Sequence, residues 1–488
     1  MRIMLLIPPS KYAKNVARDL IYGCWCKGKR IAGIQFPPIS QLQVVTLLRD
    51  EGHDVVLYDA AALHKNVKDI KKEIRAFEAV VVLTSTSTIN EDAEILSQLK
   101  DANPRLKTIC YGSHPTFMPF QTVQKNGIDI AVRREPEFII RDLINALAEG
   151  GGRWQETVGI SFKRNGAIIS NPDYPFIENL DVLPIPDRSL LPRHVEYFNP
   201  VVKQVPFTTM FTSRGCFGRC VFCTVPAFYG SCIRFRSAEK VVEEMQLLQS
   251  QGYREVFFRD ELFTVSRKRV IDICKGIQEK RLSLSWICSS RIDLVDLEML
   301  RMMKEADCHM IRFGVESASQ QILGNIKKDI TVEQIEKAFA WTNQLKLDTH
   351  AHLMIGCPGE TRETIKETMR FVKRIKPTIV TFGICTPYPG TVLFESVSNA
   401  FADIGDGSSC DLSRIHTEGF YNRVFTKLTN EELGRSVRRA YRSFYLRLSY
   451  IAQWVKRFRS FGEIKRIFSA GTQIFIFILC GENTKRPT

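Results

Sequence analysis

From residue 207 onward the chain alternates strand-like and helix-like segments, and this alternation most constrains its fold. The predicted strands are 207–212, 255–259, 283–289, 310–315, 349–355 and 379–385. The predicted helices are 237–251, 266–279, 296–305, 331–345 and 361–375. Such alternation predicts an α/β fold with a parallel sheet. Over residues 207–400 it predicts a partial (β/α)6 barrel, whose catalytic groups would lie at the carboxyl ends of the strands.

Residues 1–150 predict a second parallel sheet, of the open, Rossmann-like kind. Its predicted strands are 3–7, 54–58, 79–83 and 107–111, and its predicted helices are 39–50, 67–77, 91–99 and 136–147. Ligands of such sheets sit at the carboxyl ends of the strands. Small polar residues follow two of these ends, in the runs 84–88 and 112–114. They either cap the following helices or contact a ligand.

The two predicted domains are joined by a linker, and a basic tail follows the second. The linker, 151–206, contains a predicted hairpin that turns at Asn165-Gly166. In the region 401–488, apolar residues recur every three or four positions from Val437 to Phe458, which predicts a long helix. Residues 433–488 hold 12 Lys and Arg against two acids, and supply +10 of the net charge of +15.

Two interpretations of the basic tail remain open on these residues. The helix either packs on the barrel or lies on an anionic membrane surface, since apolar and basic side chains occur side by side along it. No base-reading fold is recognisable, so we expect no nucleic-acid partner.

Three cysteines with the spacing C-x3-C-x2-C follow the first predicted barrel strand. They are Cys216, Cys220 and Cys223. Electron-transfer clusters use four cysteines, whereas three thiolates leave one iron of a four-iron cluster open to another ligand. Structural zinc needs four ligands, and neither a second cysteine pair nor a nearby histidine accompanies the triplet. The triplet therefore predicts a catalytic iron–sulfur cluster.

The remaining cysteines predict a cytoplasmic protein without a disulfide framework. The chain has 14 cysteines in all, and their spacing shows no paired pattern. Cys24 and Cys26 are too close together for a second cluster and lack a third cysteine nearby. This argues against an enzyme of the methylthiotransferase type.

The triplet, with aromatic Phe222 before its last cysteine, resembles the cluster signature of the radical S-adenosylmethionine (SAM) superfamily. Segments at the later strand ends resemble the SAM-binding motifs of that family. The resemblance implies a four-iron cluster on the three cysteines and an electron donor such as flavodoxin or ferredoxin. It also implies that SAM is contacted by Phe222, Asp260, Glu261, Arg291, Glu316, Ser317, Ile355 and Gly356.

The N-terminal domain resembles the cobalamin-binding module that precedes the barrel in a large radical SAM subfamily. The resemblance implies cobalamin contacts by Thr84, Ser85, Thr86, Gly112, Ser113, His114 and Glu135. The signature D-x-H-x-x-G, which supplies a histidine to cobalt in some modules, is absent. The run Pro8-Pro9-Ser10-Lys11-Tyr12 stands in its place. We therefore expect cobalamin without a histidine ligand from the protein.

The resemblance implies a radical SAM enzyme that methylates an unactivated carbon, or phosphorus, through a 5′-deoxyadenosyl radical and methylcobalamin. A ring-forming or oxidative enzyme like the porphyrin cyclase of the subfamily is the first alternative. A non-catalytic sensor that binds a cluster and cobalamin is the second. The catalytic candidates are Tyr388 and His352, and we expect His350 to face away from His352. The tail favours an apolar or lipid-like small molecule as substrate, and a protein peripheral to the membrane.

Overall fold

The fold is given by a computed structural model that describes residues 1–9, 35–195, 197, 199–401, 424–455 and 461–480. Ser10, Lys11, Tyr12, Cys24 and Cys26 lie outside these ranges. The strands of the N-terminal part are β1 (Arg2–Ile7), β2 (Asp54–Asp59), β3 (Ala79–Leu83), β4 (Lys107–Tyr111), β5 (Ile130–Val132), β6 (Ile160–Arg164) and β7 (Ala167–Ser170). Its helices are α1 (Ile39–Asp50), α2 (Val67–Glu73), α3 (Ile89–Ala102), α4 (Ser113–Phe117), α5 (Pro119–Gln124) and α6 (Pro136–Glu149).

These strands form one seven-stranded sheet with the order β2-β1-β3-β4-β5-β6-β7. Strands β1 to β5 are parallel, in agreement with the predicted parallel sheet, although β5 was not among the four predicted strands. All but β2, of which only the last three residues are buried, are nearly continuous runs of buried residues. The chain leaves β1 towards one edge and β3 towards the other, so a crevice is expected between their carboxyl ends. The hairpin β6–β7 pairs antiparallel with β5. The sheet therefore continues to Ser170, past the predicted boundary at residue 150.

The second part begins at β8, and its helices and strands alternate as predicted. The strands are β8 (Phe207–Met210), β9 (Ser213–Arg214), β10 (Arg234–Phe235), β11 (Glu255–Phe258), β12 (Ser285–Ser290), β13 (Cys308–Glu316), β14 (Asp348–Ile355) and β15 (Ile379–Ile384). The helices are α7 (Val225–Tyr229), α8 (Ala238–Ser250), α9 (Arg267–Glu279), α10 (Leu297–Glu305), α11 (Gln320–Asn325), α12 (Val332–Gln344), α13 (Arg362–Ile375) and α14 (Val392–Ala400).

The six long strands form a parallel sheet in the order β15-β14-β13-β12-β11-β8, which confirms the predicted fold class. The outer face, with residues such as Trp286 and Phe313, packs against the helices in one large apolar core. The amino-terminal half of the inner face is filled by a smaller cluster that includes Phe257, Ile287 and Met310. The carboxyl-terminal half carries polar side chains and faces the cysteine-containing loop.

Helix α7, which follows Cys223 directly, is buried in the core of the other sheet. Val225, Phe228 and Tyr229 belong to the same apolar cluster as residues of β1, β4, β5 and α6, and Cys216 and Cys223 pack against that cluster. The Phe228 ring meets Phe117 of α4 edge-on, with 6.1 Å between centroids. The cysteine-containing loop is thus held between the two sheets.

The C-terminal region contributes α15 (Asn430–Tyr445), α16 (Leu448–Val455) and α17 (Phe461–Cys480). Helix α15 covers the edge strand β15, where the Tyr445 hydroxyl donates to the Val380 carbonyl (2.6 Å) and accepts from its N–H (3.0 Å). The single long helix predicted here is wrong, because α15 ends at Tyr445 and a new helix begins three residues later. Within the described residues, no helix is both long and apolar enough to cross a bilayer.

Candidate functional site

The three cysteines lie in the loop between β9 and α7, with their thiols free of disulfides. A Cβ atom at Gly218 would lie 3.3 Å from Cys216 Sγ and 3.8 Å from Cys220 Sγ. The two sulfurs therefore border the space that this glycine leaves open. Burial raises the pKa of all three thiols, so iron must displace their protons on binding.

The number and type of the donors in the cysteine loop suit an iron–sulfur cluster. Among the described residues, no three His, Cys, Asp or Glu side chains are arranged to hold one metal ion. A four-iron cluster presents each thiolate with a different iron, so its ligands stand further apart than ligands of one zinc. The donor set, three soft sulfurs in one loop, is that of iron–sulfur chemistry.

Two cations flank the cysteine loop on the barrel side. Arg291 Nη1 lies 4.0 Å from Cys220 Sγ, and its Nη2 donates to the Lys328 carbonyl (2.7 Å). Lys328 is buried and ion-paired with Glu316 at 2.9 Å. Burial opposes its charge, but Glu316 and Cys220 raise the pKa of Lys328. Both cations therefore favour the negative charge that thiolates bring to this site.

Glu316, at the end of β13, combines the ion pair with Lys328 and a left-handed backbone conformation. Its φ of 62° lies in the left-handed region, which is costly for a residue other than glycine. A Cβ at Gly314 would lie 2.5 Å from Glu316 Oε1 and 2.7 Å from Lys328 Nζ. Glycine at 314 and the irregular register beside it thus make room for a buried carboxylate on the inner face. Of the predicted SAM residues, Glu316 and Arg291 lie together beside the cysteines.

Two other predicted SAM residues are engaged by the protein itself. The Asp260 carboxylate accepts hydrogen bonds from the Thr212 N–H (2.7 Å), the Thr212 hydroxyl and the Ser213 hydroxyl (2.6 Å). The fully buried Ser317 hydroxyl meets Thr368 of α13 at 3.3 Å. Both groups thus bond to protein atoms, and their contacts with SAM stay predictions. Asp260 fixes the strand end that leads to the cysteines.

The remaining predicted SAM residues lie in the cysteine loop or at the carboxyl ends of β11 and β14. Glu261 is half-buried, and its charge acts on Cys216. Phe222 is partly buried against the barrel core. Gly356 follows Ile355 with a φ of +87°. The N–H groups of Gly356 and of the next residue donate to Glu360.

Glu360 was not predicted, and it organises the turn after β14. Its side chain is buried, and burial raises the pKa of its carboxyl to about 7. The sequence did contain a signal for this role, because Glu360 is a carboxylate four residues after Gly356, within the segment that resembles a SAM-binding motif. Lys328 gave no such signal, because its partner Glu316 lies 12 positions earlier, at the end of a strand.

The predicted cobalamin residues of β3 and β4 do come together. The φ of Gly112 is +117°, and a Cβ there would lie 2.5 Å from the Thr84 carbonyl oxygen. The Thr86 hydroxyl lies 3.2 Å from His114 Nδ1. Burial lowers the pKa of His114 to about 3, so its imidazole is neutral. Ser85 and Ser113 lie in the same two loops and are buried. We call the two loops that meet at Gly112 the glycine cradle, because the missing side chain lets their backbones approach closely.

Glu135 is paired with arginines of the second part of the chain, and its contact with cobalamin stays a prediction. Its carboxylate is 4% exposed and pairs with Arg214 (3.2 Å) and Arg234 (2.8 Å). It also accepts the Ile177 N–H at 2.8 Å. This pairing could not be predicted from the sequence, because the two arginines lie in the second part of the chain.

The catalytic candidates lie in different places. His352 and His350 are stacked with 4.1 Å between ring centroids, and both contact the Thr381 hydroxyl. The prediction that they face opposite sides is wrong, because residues two apart in a strand share a face. Burial lowers the pKa of both imidazoles. Tyr388 packs against the cluster of Met118, Phe394 and Val397, between the two parts of the chain.

Comparisons with known proteins match both parts of the chain. Residues 210–372 match the radical SAM superfamily, and residues 32–144 match the B12-binding domain. An uncharacterized methyltransferase of Pyrococcus horikoshii is 34% identical over 452 residues, which cover 92% of this chain and 93% of that protein. The anaerobic magnesium-protoporphyrin IX monomethyl ester cyclase of Rubrivivax gelatinosus is 28% identical over 76% of this chain and 68% of its own.

A solved structure has the same fold. The radical SAM methyltransferase TsrM of Kitasatospora setae, with cobalamin and a [4Fe-4S] cluster bound, superposes with a TM-score of 0.67 at 20% identity. The superposition covers 81% of this chain and 78% of that one. With both domain matches and a relative over nearly its whole length, the chain belongs to the cobalamin-binding radical SAM enzymes, which use a four-iron–four-sulfur cluster, SAM and cobalamin.

Proposed function

We propose that this enzyme methylates an unactivated carbon, or phosphorus, of a small apolar molecule. The observation that carries the proposal is the cysteine loop, which packs through α7 into the core of the B12-binding-type sheet. When bound, the cluster and SAM supply a radical that abstracts a hydrogen atom, and cobalamin supplies the methyl group. The near relative of Pyrococcus horikoshii, named a methyltransferase, supports this choice.

In this proposal the chain's own residues bind and orient the cofactors. Cys216, Cys220 and Cys223 hold the cluster, and Arg291 and Lys328 balance its charge. The turn that Glu360 holds at Gly356 supports the adenine end of SAM. On the other side, the cradle at Gly112 holds cobalamin, with no histidine of the chain on cobalt. A flavodoxin or ferredoxin supplies the electron.

Labelled SAM tests the proposal on the reconstituted, reduced holoenzyme under anaerobic conditions. SAM with a trideuterated methyl group is incubated with the enzyme, flavodoxin and an apolar extract of the source cells. We expect 5′-deoxyadenosine, S-adenosylhomocysteine and a product heavier by the labelled methyl group. Cleavage of SAM without transfer of label would contradict methylation. No cleavage, with the cluster intact, would favour the sensor.

A ring-forming or oxidative reaction is the second candidate function. It is favoured by the relative named as a magnesium-protoporphyrin cyclase, which is 28% identical to this chain. In the labelling experiment, this function gives 5′-deoxyadenosine and a product that has lost hydrogen but gained no label. Product mass therefore separates the two functions.

The C-terminal helices support a further proposal, contact with an anionic membrane surface. Helix α17 is exposed at Phe468 (71%), Phe475 (50%), Ile476 (55%) and Leu479 (67%). Phe475, Ile476 and Leu479 lie seven, eight and eleven residues after Phe468, so the four side chains share one face of the helix. The opposite face is also apolar, since Phe477 meets Tyr441 of α15 edge-on at 5.3 Å. The last part of α17, from Ile474 to Leu479, is therefore apolar on both faces, and a cover is expected over its exposed face.

The charge of this region indicates what covers it. The tail carries 12 basic residues against two acids over residues 433–488, and Arg435, Arg439 and Arg442 are exposed along α15. Basic residues beside an apolar helix face are typical of helices that lie in the plane of an anionic bilayer. Such a position would bring the enzyme to a lipid-like substrate.

Sedimentation with vesicles tests this contact. We expect the holoenzyme to bind vesicles of phosphatidylcholine and phosphatidylserine but not vesicles of phosphatidylcholine alone. The double variant Phe468→Ser, Leu479→Ser should bind at least roughly tenfold more weakly, because each buried side chain contributes about 1.5 kcal/mol or more.

The control is Val182→Ser, which removes an apolar side chain that is 55% exposed elsewhere on the surface. It should bind as the wild type does. Equal binding by the double variant, or no binding to the anionic vesicles, would contradict the contact.

A further inference from the structure

Four charged side chains join the two parts of the chain at the cysteine loop. We call them the interdomain charge cluster: Glu135 and Glu137 from the start of α6, Arg214 from β9 and Arg234 from β10. Arg214 binds Glu137 at 2.5 Å and Glu135 at 3.2 Å, and Arg234 binds Glu135 at 2.8 Å. The side chains are between 1% and 10% exposed. Two carboxylates and two guanidinium groups balance in charge.

The cluster connects directly to the first cysteine. Arg214 is two residues before Cys216, and the residue between them is Gly215 with a φ of +99°. A Cβ at Gly215 would lie 2.3 Å from the Cys232 carbonyl oxygen. The Cys216 N–H donates to the Gly230 carbonyl at 3.3 Å. The backbone between the guanidinium and the thiol is therefore closely held.

The other end of the cluster reaches the predicted cobalamin side. Glu135 and Glu137 begin α6, the helix that follows β5, and Ile139 and Ile140 of that helix lie in the core of the N-terminal sheet. A buried ion pair is weak evidence for stability, because desolvation offsets the attraction. Its directional hydrogen bonds do define a single arrangement of the groups they join.

We propose that Arg214 is a positioning residue that fixes the cysteine loop relative to the N-terminal sheet, and thereby the spacing between the iron–sulfur cluster and cobalamin. The inference rests on the proposed function only for where the two cofactors bind. It concerns geometry, so it can be tested without substrate and without turnover.

Electron paramagnetic resonance gives the spacing directly. The reduced cluster and cob(II)alamin each carry an unpaired spin, and their mutual interaction reports the distance between them. In the wild-type holoenzyme we expect one narrow distance distribution. In the double variant Arg214→Met, Glu137→Leu the distribution should broaden or shift, while iron and cobalamin content stay at wild-type levels. This pair of changes leaves Glu135 bound to Arg234.

A milder variant and a matched control complete the test. Glu137→Gln keeps the shape of the side chain and removes its charge, so it decides the question if the double variant does not load both cofactors. We expect it to broaden the distribution to a smaller extent. The control, Arg188→Met, removes a buried arginine whose partner Glu244 keeps Arg236. Its distribution should match the wild type.

An unchanged distance distribution in the loaded double variant, or in Glu137→Gln if the double variant does not load, would overturn the inference. A change as large in Arg188→Met would also overturn it, since any lost buried arginine would then have the same effect. The two proposals can also be separated. If the wild type transfers no methyl group, but the distance distribution broadens in the variants as expected, the proposed function is contradicted and this inference stands.

Discussion

Replacing Cys216, Cys220 or Cys223 by alanine is expected to abolish SAM cleavage. Each thiol would hold a different iron, so the loss of one leaves two ligands for the cluster and two irons without a protein ligand. The reconstituted variants should contain little iron and lack the brown absorption of the wild type. The measurements are iron content per chain and 5′-deoxyadenosine formed under reducing, anaerobic conditions.

Cys232→Ala is the matched control, because this thiol is exposed and lies nine residues beyond the triplet. It should keep the iron content and the cleavage rate of the wild type. Retained cleavage in a triplet variant would refute the assignment of that ligand. A loss of cleavage in Cys232→Ala would show that the assay responds to any lost thiol.

Gly112→Ala is expected to have the second largest effect, loss of cobalamin binding. Its new methyl group would lie 2.5 Å from the Thr84 carbonyl oxygen. The collision costs roughly 1–3 kcal/mol, and a side chain at its φ of +117° adds about 1–3 kcal/mol. The two loops of the predicted cobalamin site must therefore separate. Cobalamin retained per chain after desalting, read from its visible absorption, measures the loss.

Gly166→Ala separates the collision from backbone strain. Gly166 has a φ of +81° in the β6–β7 turn, but nothing lies within 4 Å of the position of its missing Cβ. We expect this variant to be somewhat less stable and to bind cobalamin normally. Normal cobalamin binding by Gly112→Ala would argue that the cradle is not the binding site.

The strands were predictable because burial leaves a direct record in the sequence. The run that became β3 is apolar and buried over its whole length, and small polar residues follow it. The cysteine triplet could also be recognised, because its three residues lie close together in the sequence. His350 was misplaced for another reason, a wrong use of the two-residue period of strands.

The roles of polar groups were harder to predict, because their partners are distant in sequence. Glu135 pairs with Arg214, 79 positions away, and Asp260 binds Thr212, 48 positions away. A carboxylate at a strand end has the same sequence signal whether it binds a ligand or the protein. The fold is needed to find the protein partners of such a carboxylate.

The burial of α7 has a consequence for how such proteins are assembled and divided. The chain changes from one predicted domain to the next before residue 207, but the core of the first sheet is completed by Val225, Phe228 and Tyr229. A fragment cut in the linker would expose that core to water, and the severed barrel would expose the helix. Grafting this N-terminal sheet onto another barrel would therefore require the cysteine loop to move with it.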